Sequence, residues 1–225
     1  MATLMKQELL SEQRKPLLSC KNITISDIRQ KAVVQAVAKV HAEAFTGYLN
    51  ARFGMGYITS YINWFAHARQ TIALAAFDDQ QHVMGYAMGV LAGHPLNREL
   101  FGALVRSVIL RPWLLFDARL WQAARSGLRR LVGREKASVQ LDLPEPTMAL
   151  VSIGVSSSYR RQGIAVHLMQ AFDEKARSLK MRSLVAWVYE DNTVARQLYE
   201  KYGWQPCMDS LDERRSLKYF KVIDG

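Results

Sequence analysis

The sequence predicts an α/β (α+β) domain, and three observations predict it. Short apolar runs of strand length alternate with segments whose apolar residues recur at helical spacing. Two adjacent strand-like runs are joined by the short polar link Asp78-Asp79-Gln80-Gln81, as in a hairpin. A later apolar run passes through a polar turn straight into an amphipathic helix.

Taken in order, Ile23-Thr24-Ile25 reads as a short strand, and Ser26 or Asp27 is expected to cap a helix reaching about Phe45. Its apolar positions Ile28, Val33, Val34, Val37, Val40 and Ala44 fall at helical spacing. Gly47, Gly54 and Gly56 punctuate the chain before a second helix, about Tyr57 to Ala68, with Ile58, Tyr61, Ile62 and Phe65 on one side. Strands are expected over Thr71 to Phe77 and Val83 to Leu91. Gly85 and Gly89 weaken the second one unless a neighbouring backbone comes close there.

The character changes over residues 94–136. Arg98, Arg106, Arg111, Arg119, Arg125, Arg129, Arg130 and Arg134 face Glu99, Asp117 and Glu135, with Leu, Val, Ile, Trp and Phe between them. Two basic amphipathic helices are expected, separated at Arg111-Pro112 because proline disfavours a helical residue before it. Pro144 and Pro146 close this stretch. Met148 to Val155 reads as an apolar strand, Ser156 to Gln162 as a loop, and Gly163 to about Lys180 as a helix with Leu168, Met169, Phe172, Ala176 and Leu179 on one face. Ser183 to Val188 is a further strand. Thr193 to Tyr202 is a helix ended by Gly203, a residue suited to a left-handed cap. Trp204 to Met208 and Leu217 to Val222 are the expected closing strands.

The 225 residues, 49% apolar and 22% charged, suffice for one domain with a full core. Residues 1–20 form an N-terminal extension, since Lys6, Glu8, Glu12, Arg14 and Lys15 break any apolar stripe; residues 21–225 form the domain. Leu9, Leu10, Leu17 and Leu18 are too scattered for a secretory signal, and Arg106 and Arg111 interrupt the best membrane-span candidate. The expected location is cytoplasmic. Cys20 and Cys207 lack metal-ligand spacing and are expected as reduced thiols; no metal is expected. The formal charge of +10 and pI of 9.7 suit nucleic acid, an acidic membrane face or a phosphate-rich cofactor, without choosing among them.

The run from Val151 to Ala165 narrows that choice. It joins a strand, a polar turn and the opening of a helix, whose first N–H groups lack intrahelical partners and favour negative charge. Gly163 lets the backbone approach a bulky phosphate, Ala165 avoids crowding it, and Arg160 and Arg161 add planar donors. A second motif follows: Asn192, then Ala195, Leu198-Tyr199 and Gly203-Trp204. Together, Arg160-x-x-Gly163-x-Ala165 and this second run resemble the GNAT superfamily of N-acetyltransferases, closely over about residues 150–206 and more loosely before.

That resemblance implies a GNAT fold: a mixed, mostly antiparallel twisted sheet, split between strands 4 and 5 and flanked by helices. Here it would carry a helical insert (about 94–146) between strands 3 and 4. It implies acetyl-CoA as co-substrate, with Ile153, Gly154 and Val155 on the pantetheine arm and thioester. Arg160, Arg161, Gln162, Gly163, Ile164, Ala165 and Val166 would lie around the diphosphate, and Asn192 near the pantetheine. Tyr199 would protonate the departing thiolate, a role the chemistry calls for; by position alone it would read as a packed core aromatic. The acetyl group would pass directly to a primary amine in a ternary complex.

The resemblance is incomplete in two places. Ribosomal-protein N-terminal acetyltransferases carry a glutamate where this chain has Trp187, which leaves the base unassigned among Glu190, Asp191, Glu43, His41 and His94. The insert replaces a short turn and admits three readings: a solvated helical pair, a lid over the acceptor, or peripheral contact with an anionic membrane. A small-molecule amine such as an amino sugar is the preferred acceptor; a peptide N-terminus or lysine is the alternative. A non-catalytic acetyl-CoA-binding module is disfavoured by Asn192 and Tyr199 together. Nucleic acid is not expected as a partner. The oligomeric state, a homodimer included, is not fixed by the sequence.

Overall fold

The structure, a computed structural model, describes residues 22–46, 52–94, 100–117, 121, 142–207 and 215–223. The N-terminal extension and the second basic helix expected in the insert lie outside the described residues. The elements in order are β1 (Thr24–Asp27), α1 (Lys31–Ala44), α2 (Met55–His67), β2 (Thr71–Phe77), β3 (Val83–Leu91) and α3 (Phe101–Leu110). A 3-10 turn (Pro112–Phe116) follows α3. Then come β4 (Thr147–Val155), a second 3-10 turn (Ser157–Tyr159), α4 (Ile164–Ser178), β5 (Ser183–Tyr189), α5 (Thr193–Lys201), β6 (Gln205–Cys207) and β7 (Ser216–Val222).

The strands form one sheet in the order β1-β2-β3-β4-β5-β7-β6. Every neighbouring pair is antiparallel except β4 and β5, which run parallel and are joined through α4. Each face carries its own core. On one, α1 and α2 set Val34, Val37, Ile58, Ile62 and Phe65 against Ala73, Ala75, Tyr86 and Met88. On the other, α4 sets Leu168, Met169, Phe172 and Ala176 against Ile72, Leu74, Met84, Met148 and Leu150. Phe172 is fully buried at that centre, so Phe172→Ala would cost about 3–5 kcal/mol.

The period-2 and helical patterns place most elements within a residue or two, but the first helix starts later than expected. Ser26 and Asp27 stay in β1, opposite Ala75 and Leu74, and the Ile28 N–H donates to the Ala73 carbonyl. The Asp27 carboxylate is taken by Lys175 Nζ at 3.0 Å, so it is not a cap, and α1 begins at Lys31. The expected close approach at the β3 glycines is present: a Cβ at Gly89 would lie 2.5 Å from Phe172 Cζ, and one at Gly85 2.8 Å from the Gly154 carbonyl oxygen.

The sheet opens between β4 and β5. They pair only from Thr147 opposite Ser183 to Leu150 opposite Ala186, although both strands continue. The cause is local. The β3–β4 register slips between Met88 and Gly89, so Val151 is an extra residue with no partner, and a bulge of this kind bends the strand that carries it. Beyond it β4 holds to β3 while β5 holds to β7 as far as Tyr189.

Candidate active site

The open end of β4 leads into the feature that stands out chemically. After Val155 the Ser156 N–H ties back to the Met84 carbonyl, and the 3-10 turn swings the chain outward. Arg161 (φ 63°) and Gly163 (φ 79°, ψ 0°) then adopt left-handed backbone, which aims the turn into α4. Among the described residues, no protein acceptor meets the five successive N–H groups from Arg161 to Ala165; Val166 and His167 are the first to bond, both to the Gly163 carbonyl. The first turn of α4 holds no acidic residue, and a Cβ at Gly163 would meet nothing within 4 Å. Such an array of donors at a helix N-terminus is suited to an anion. Arg160 and Arg161 are exposed beside it, with Arg160 Nε 3.3 Å from the Val155 carbonyl oxygen. The Gln162 side chain turns back, Nε2 donating to the Ser158 carbonyl at 3.4 Å, so this residue offers the site its backbone.

Helix α1 holds this region from behind through two residues that the sequence reading weighed only as bases. Glu43 accepts from the Ser157 N–H at 2.7 Å and from Ser156 Oγ at 3.2 Å. Hydrogen bonds from Ser157 hold its carboxyl below the usual range, which marks it as a brace of the turn. His41 is buried, and its Nδ1 lies 2.6 Å from Tyr86 Oη, itself 2.8 Å from Ser152 Oγ. Burial pushes the imidazole down to about 4, so it is neutral near pH 7. The Tyr86 ring sits under Gly154, where a Cβ would lie 2.8 Å from Tyr86 Cε1. Glycine at 154 is therefore what lets the buried string pack behind β4. Tyr86 and Ser152 escaped the sequence reading because they meet across the sheet. On the outer side, Tyr159 Oη donates to Asp78 Oδ2 at 2.8 Å, tying the turn to the β2–β3 hairpin.

Across the opening, Asn192 caps α5, its Oδ1 accepting from the Ala195 N–H at 3.1 Å. Tyr199 is 5% exposed and stacks on Trp204 with ring centroids 5.3 Å apart, within the core cluster that includes Leu168 and Phe172 of α4. The remaining base candidates scatter. Glu190 pairs with Arg215 at 2.7 Å, Asp191 is exposed, and His94 lies against Trp64 with centroids 5.4 Å apart. Trp187 and Tyr189 are both exposed at the free end of β5, and Lys218 Nζ stands 5.6 Å from the Trp187 ring centre.

The sequence model of the acetyltransferase (GNAT) family matches residues 35–204, three-quarters of the chain. The chain belongs to the acetyltransferase (GNAT) family. Members of this family draw their acetyl group from acetyl-CoA. Among curated proteins, the uncharacterized N-acetyltransferase YycN of Bacillus subtilis (strain 168) is 36% identical over 62 residues, 28% of this chain and 40% of that protein; the match thus spans less than half of the relative's length. Among solved structures, an N-acetyltransferase from Staphylococcus aureus Mu50 superposes with a TM-score of 0.56 at 16% identity, covering 91% of this chain and all of that one. The PaiA N-acetyltransferase from Thermoplasma acidophilum, in complex with coenzyme A, gives 0.51 at 12% identity over 90% of this chain and 99% of that one. At these identities the likeness speaks for the fold: a mostly antiparallel sheet flanked by helices, with one parallel pair at β4–β5. The α4 mouth fits the diphosphate of coenzyme A by donor set, by the lack of acidic residues in its first turn, and by open space at Gly163.

Proposed function

We propose that this chain is an N-acetyltransferase that passes the acetyl group of acetyl-CoA directly to a primary amine in a ternary complex. The observation that carries the reading is the run of five unpaired N–H groups from Arg161 to Ala165, set at the mouth of a split sheet in a chain of this family. In this reading the N–H groups from Arg161 to Ala165, with Val166 behind them and Arg160 and Arg161 alongside, bind the diphosphate. Ile153, Gly154 and Val155 offer the pantetheine arm their backbone on the side of β4 that β5 has left. Asn192, its Oδ1 already capping α5, presents its amide nitrogen near the same arm.

Acetyl-CoA supplies an activated acyl group, and the protein's task is to orient the amine, stabilise the leaving thiolate and exclude competing water. Tyr199 is assigned as the proton donor to the thiolate. Its burial in the aromatic cluster with Trp204 and Tyr219 supports a fixed ring orientation. Glu43 and Glu190 are engaged in hydrogen bonds and His41 is enclosed, so we assign removal of the amine's proton to water at the open end of the sheet. The acceptor is taken to be a small-molecule amine: exposed Trp187 and Tyr189 offer flat apolar faces at the opening, and aromatic faces attract cationic amines.

Calorimetric titration with acetyl-CoA, then acetyl-CoA consumption against amino sugars, polyamines, amino acids and short peptides, tests this reading. Binding with turnover on one small amine supports it. Turnover on peptides alone moves the acceptor to the polypeptide class, and binding without turnover makes the chain a sensor. Tyr199→Phe is expected to lower turnover about a hundredfold or more while acetyl-CoA affinity holds; unchanged turnover removes Tyr199 from the mechanism.

A further inference from the structure

The segment between β3 and β4 presents a surface opposite in character to the α4 mouth. Helices on a globular protein turn apolar residues inward and leave polar ones outside; α3 half-buries Ala103, Leu104 and Val108 beside Ser107, yet its outer face is apolar as well. Its most buried residue is Ser107, 7% exposed, whose Oγ is bonded within the helix to the Ala103 carbonyl at 2.8 Å. Outward it presents Phe101, Ile109 (71% exposed) and Leu110, and the 3-10 turn that follows adds Trp113 (63%) and Phe116 (91%). Leu114 alone of that turn is buried, and it anchors the segment. Single exposed apolar residues need no explanation, but a contiguous group on one short segment marks an interaction surface.

Charge identifies the partner. Arg106 is exposed within this face, and the surrounding stretch 94–136 carries the eight arginines named above against three acids. The chain as a whole carries +10, so a second copy would bring like charge to the same face. An anionic lipid surface answers both features. Tryptophan favours the headgroup zone, aliphatic side chains favour the acyl boundary beneath it, and arginine meets the phosphates. At ten residues α3 is too short to cross a bilayer and is suited to lie on one. We propose that the outer face of α3 and of the 3-10 turn after it docks on an anionic bilayer, with Ile109, Leu110, Trp113 and Phe116 entering the headgroup–acyl boundary and Arg106 at the phosphates.

Co-sedimentation of the full chain with large vesicles tests this, using equimolar phosphatidylcholine and phosphatidylserine beside phosphatidylcholine alone. The expected result is sedimentation with the anionic vesicles only. Ile109→Asp with Phe116→Asp should lower the bound fraction about tenfold without changing the melting temperature, and Arg106→Glu should lower it by a smaller factor. If the aspartate pair melts early, Trp113→Gln carries the same test with less disturbance. The proposal is overturned if the chain binds neither vesicle or both equally, or if the apolar variants sediment like the parent. It is also overturned if the parent is a dimer that Ile109→Asp with Phe116→Asp dissociates, since a second copy would then cover the face. Acetyl-CoA titration in vesicle-free buffer reads the transferase proposal separately, so the two can fail independently.

Discussion

Helix α4 turns Leu168, Met169 and Phe172 into the core and leaves a polar, unpaired N-terminal turn to solvent. Helix α3 buries Ser107 and leaves Ile109 and Leu110 to solvent. Both expose something a folded protein ordinarily satisfies: backbone donors in one case, apolar side chains in the other. The mouth of α4 is over-determined. Glu43 and Tyr159 pin its approach, left-handed Arg161 and Gly163 aim it, and the His41–Tyr86–Ser152 string fixes β4 behind it. The outer face of α3 is held by no comparable contacts among the described residues. The proposed recognition of a defined anion by backbone geometry would depend on such support; the proposed contact with a fluid lipid layer would not.

Substitutions at the two places should therefore differ in kind. The largest effect concerns the support of the mouth. The His41 imidazole titrates at about 4 when folded against roughly 6.5 in an unfolded chain. A lowered value means the unfolded chain takes up the proton first. The contribution is then fully present above pH 6.5 and is lost as the pH falls towards 4, by about 3 kcal/mol. Urea midpoints from pH 7 to pH 4 should show this slope, and His41→Gln, which keeps a polar neighbour for Tyr86, should flatten it. An unchanged slope would remove His41 from the account.

Next in size is Gly163→Val. A Cβ there has room, so the effect comes from forcing a β-branched residue into φ 79°, about 1–2 kcal/mol. Acetyl-CoA affinity should fall tenfold or so by calorimetry; full affinity would mean that the turn does not hold the diphosphate. Glu43→Gln should cost about 1 kcal/mol or less, reduce cofactor affinity modestly and alter the acid limb. Glu43 is held below the usual carboxylate range, so its contribution is present above that range and is lost as the pH falls through its own lowered value. A melting profile from pH 5 down to pH 3 that matched the parent's would refute the brace. The smallest effect belongs to α3: Ile109→Ser with Phe116→Ser should shift thermal stability by no more than about 0.5 kcal/mol. A large loss would show that this face packs within the folded chain.

The joint from β4 through the turn into α4 is legible in the sequence because its signal is local. Arg160, Gly163 and Ala165 follow an apolar strand at a spacing that only a strand–turn–helix joint explains, and Asn192 to Trp204 repeat the point one unit later. The start of α1 was misread for an equally physical reason. Ser26 and Asp27 are good caps in isolation, but strand pairing to Ala75 and Leu74 and the ion pair to Lys175 claim them first. The insert reads as two basic amphipathic helices; the first is α3, with Ala103, Leu104, Ser107 and Val108 on its inner side, and the second lies outside the described residues. Apolar residues lie on both sides of α3, so spacing alone does not choose the inner one; packing turns Leu104, Ser107 and Val108 inward and leaves Ile109 and Leu110 outside.

The sequence by itself determined the family, the order of strands and helices, and the strand–turn–helix joint proposed to bind the diphosphate, since each is written in short-range spacing along the chain. Tertiary structure alone decided the opening between β4 and β5, the buried string from His41 through Tyr86 to Ser152, the brace from Glu43 to Ser157 and the outward face of α3. Those features join residues far apart in the chain, and burial and register at such distances follow from how whole elements pack.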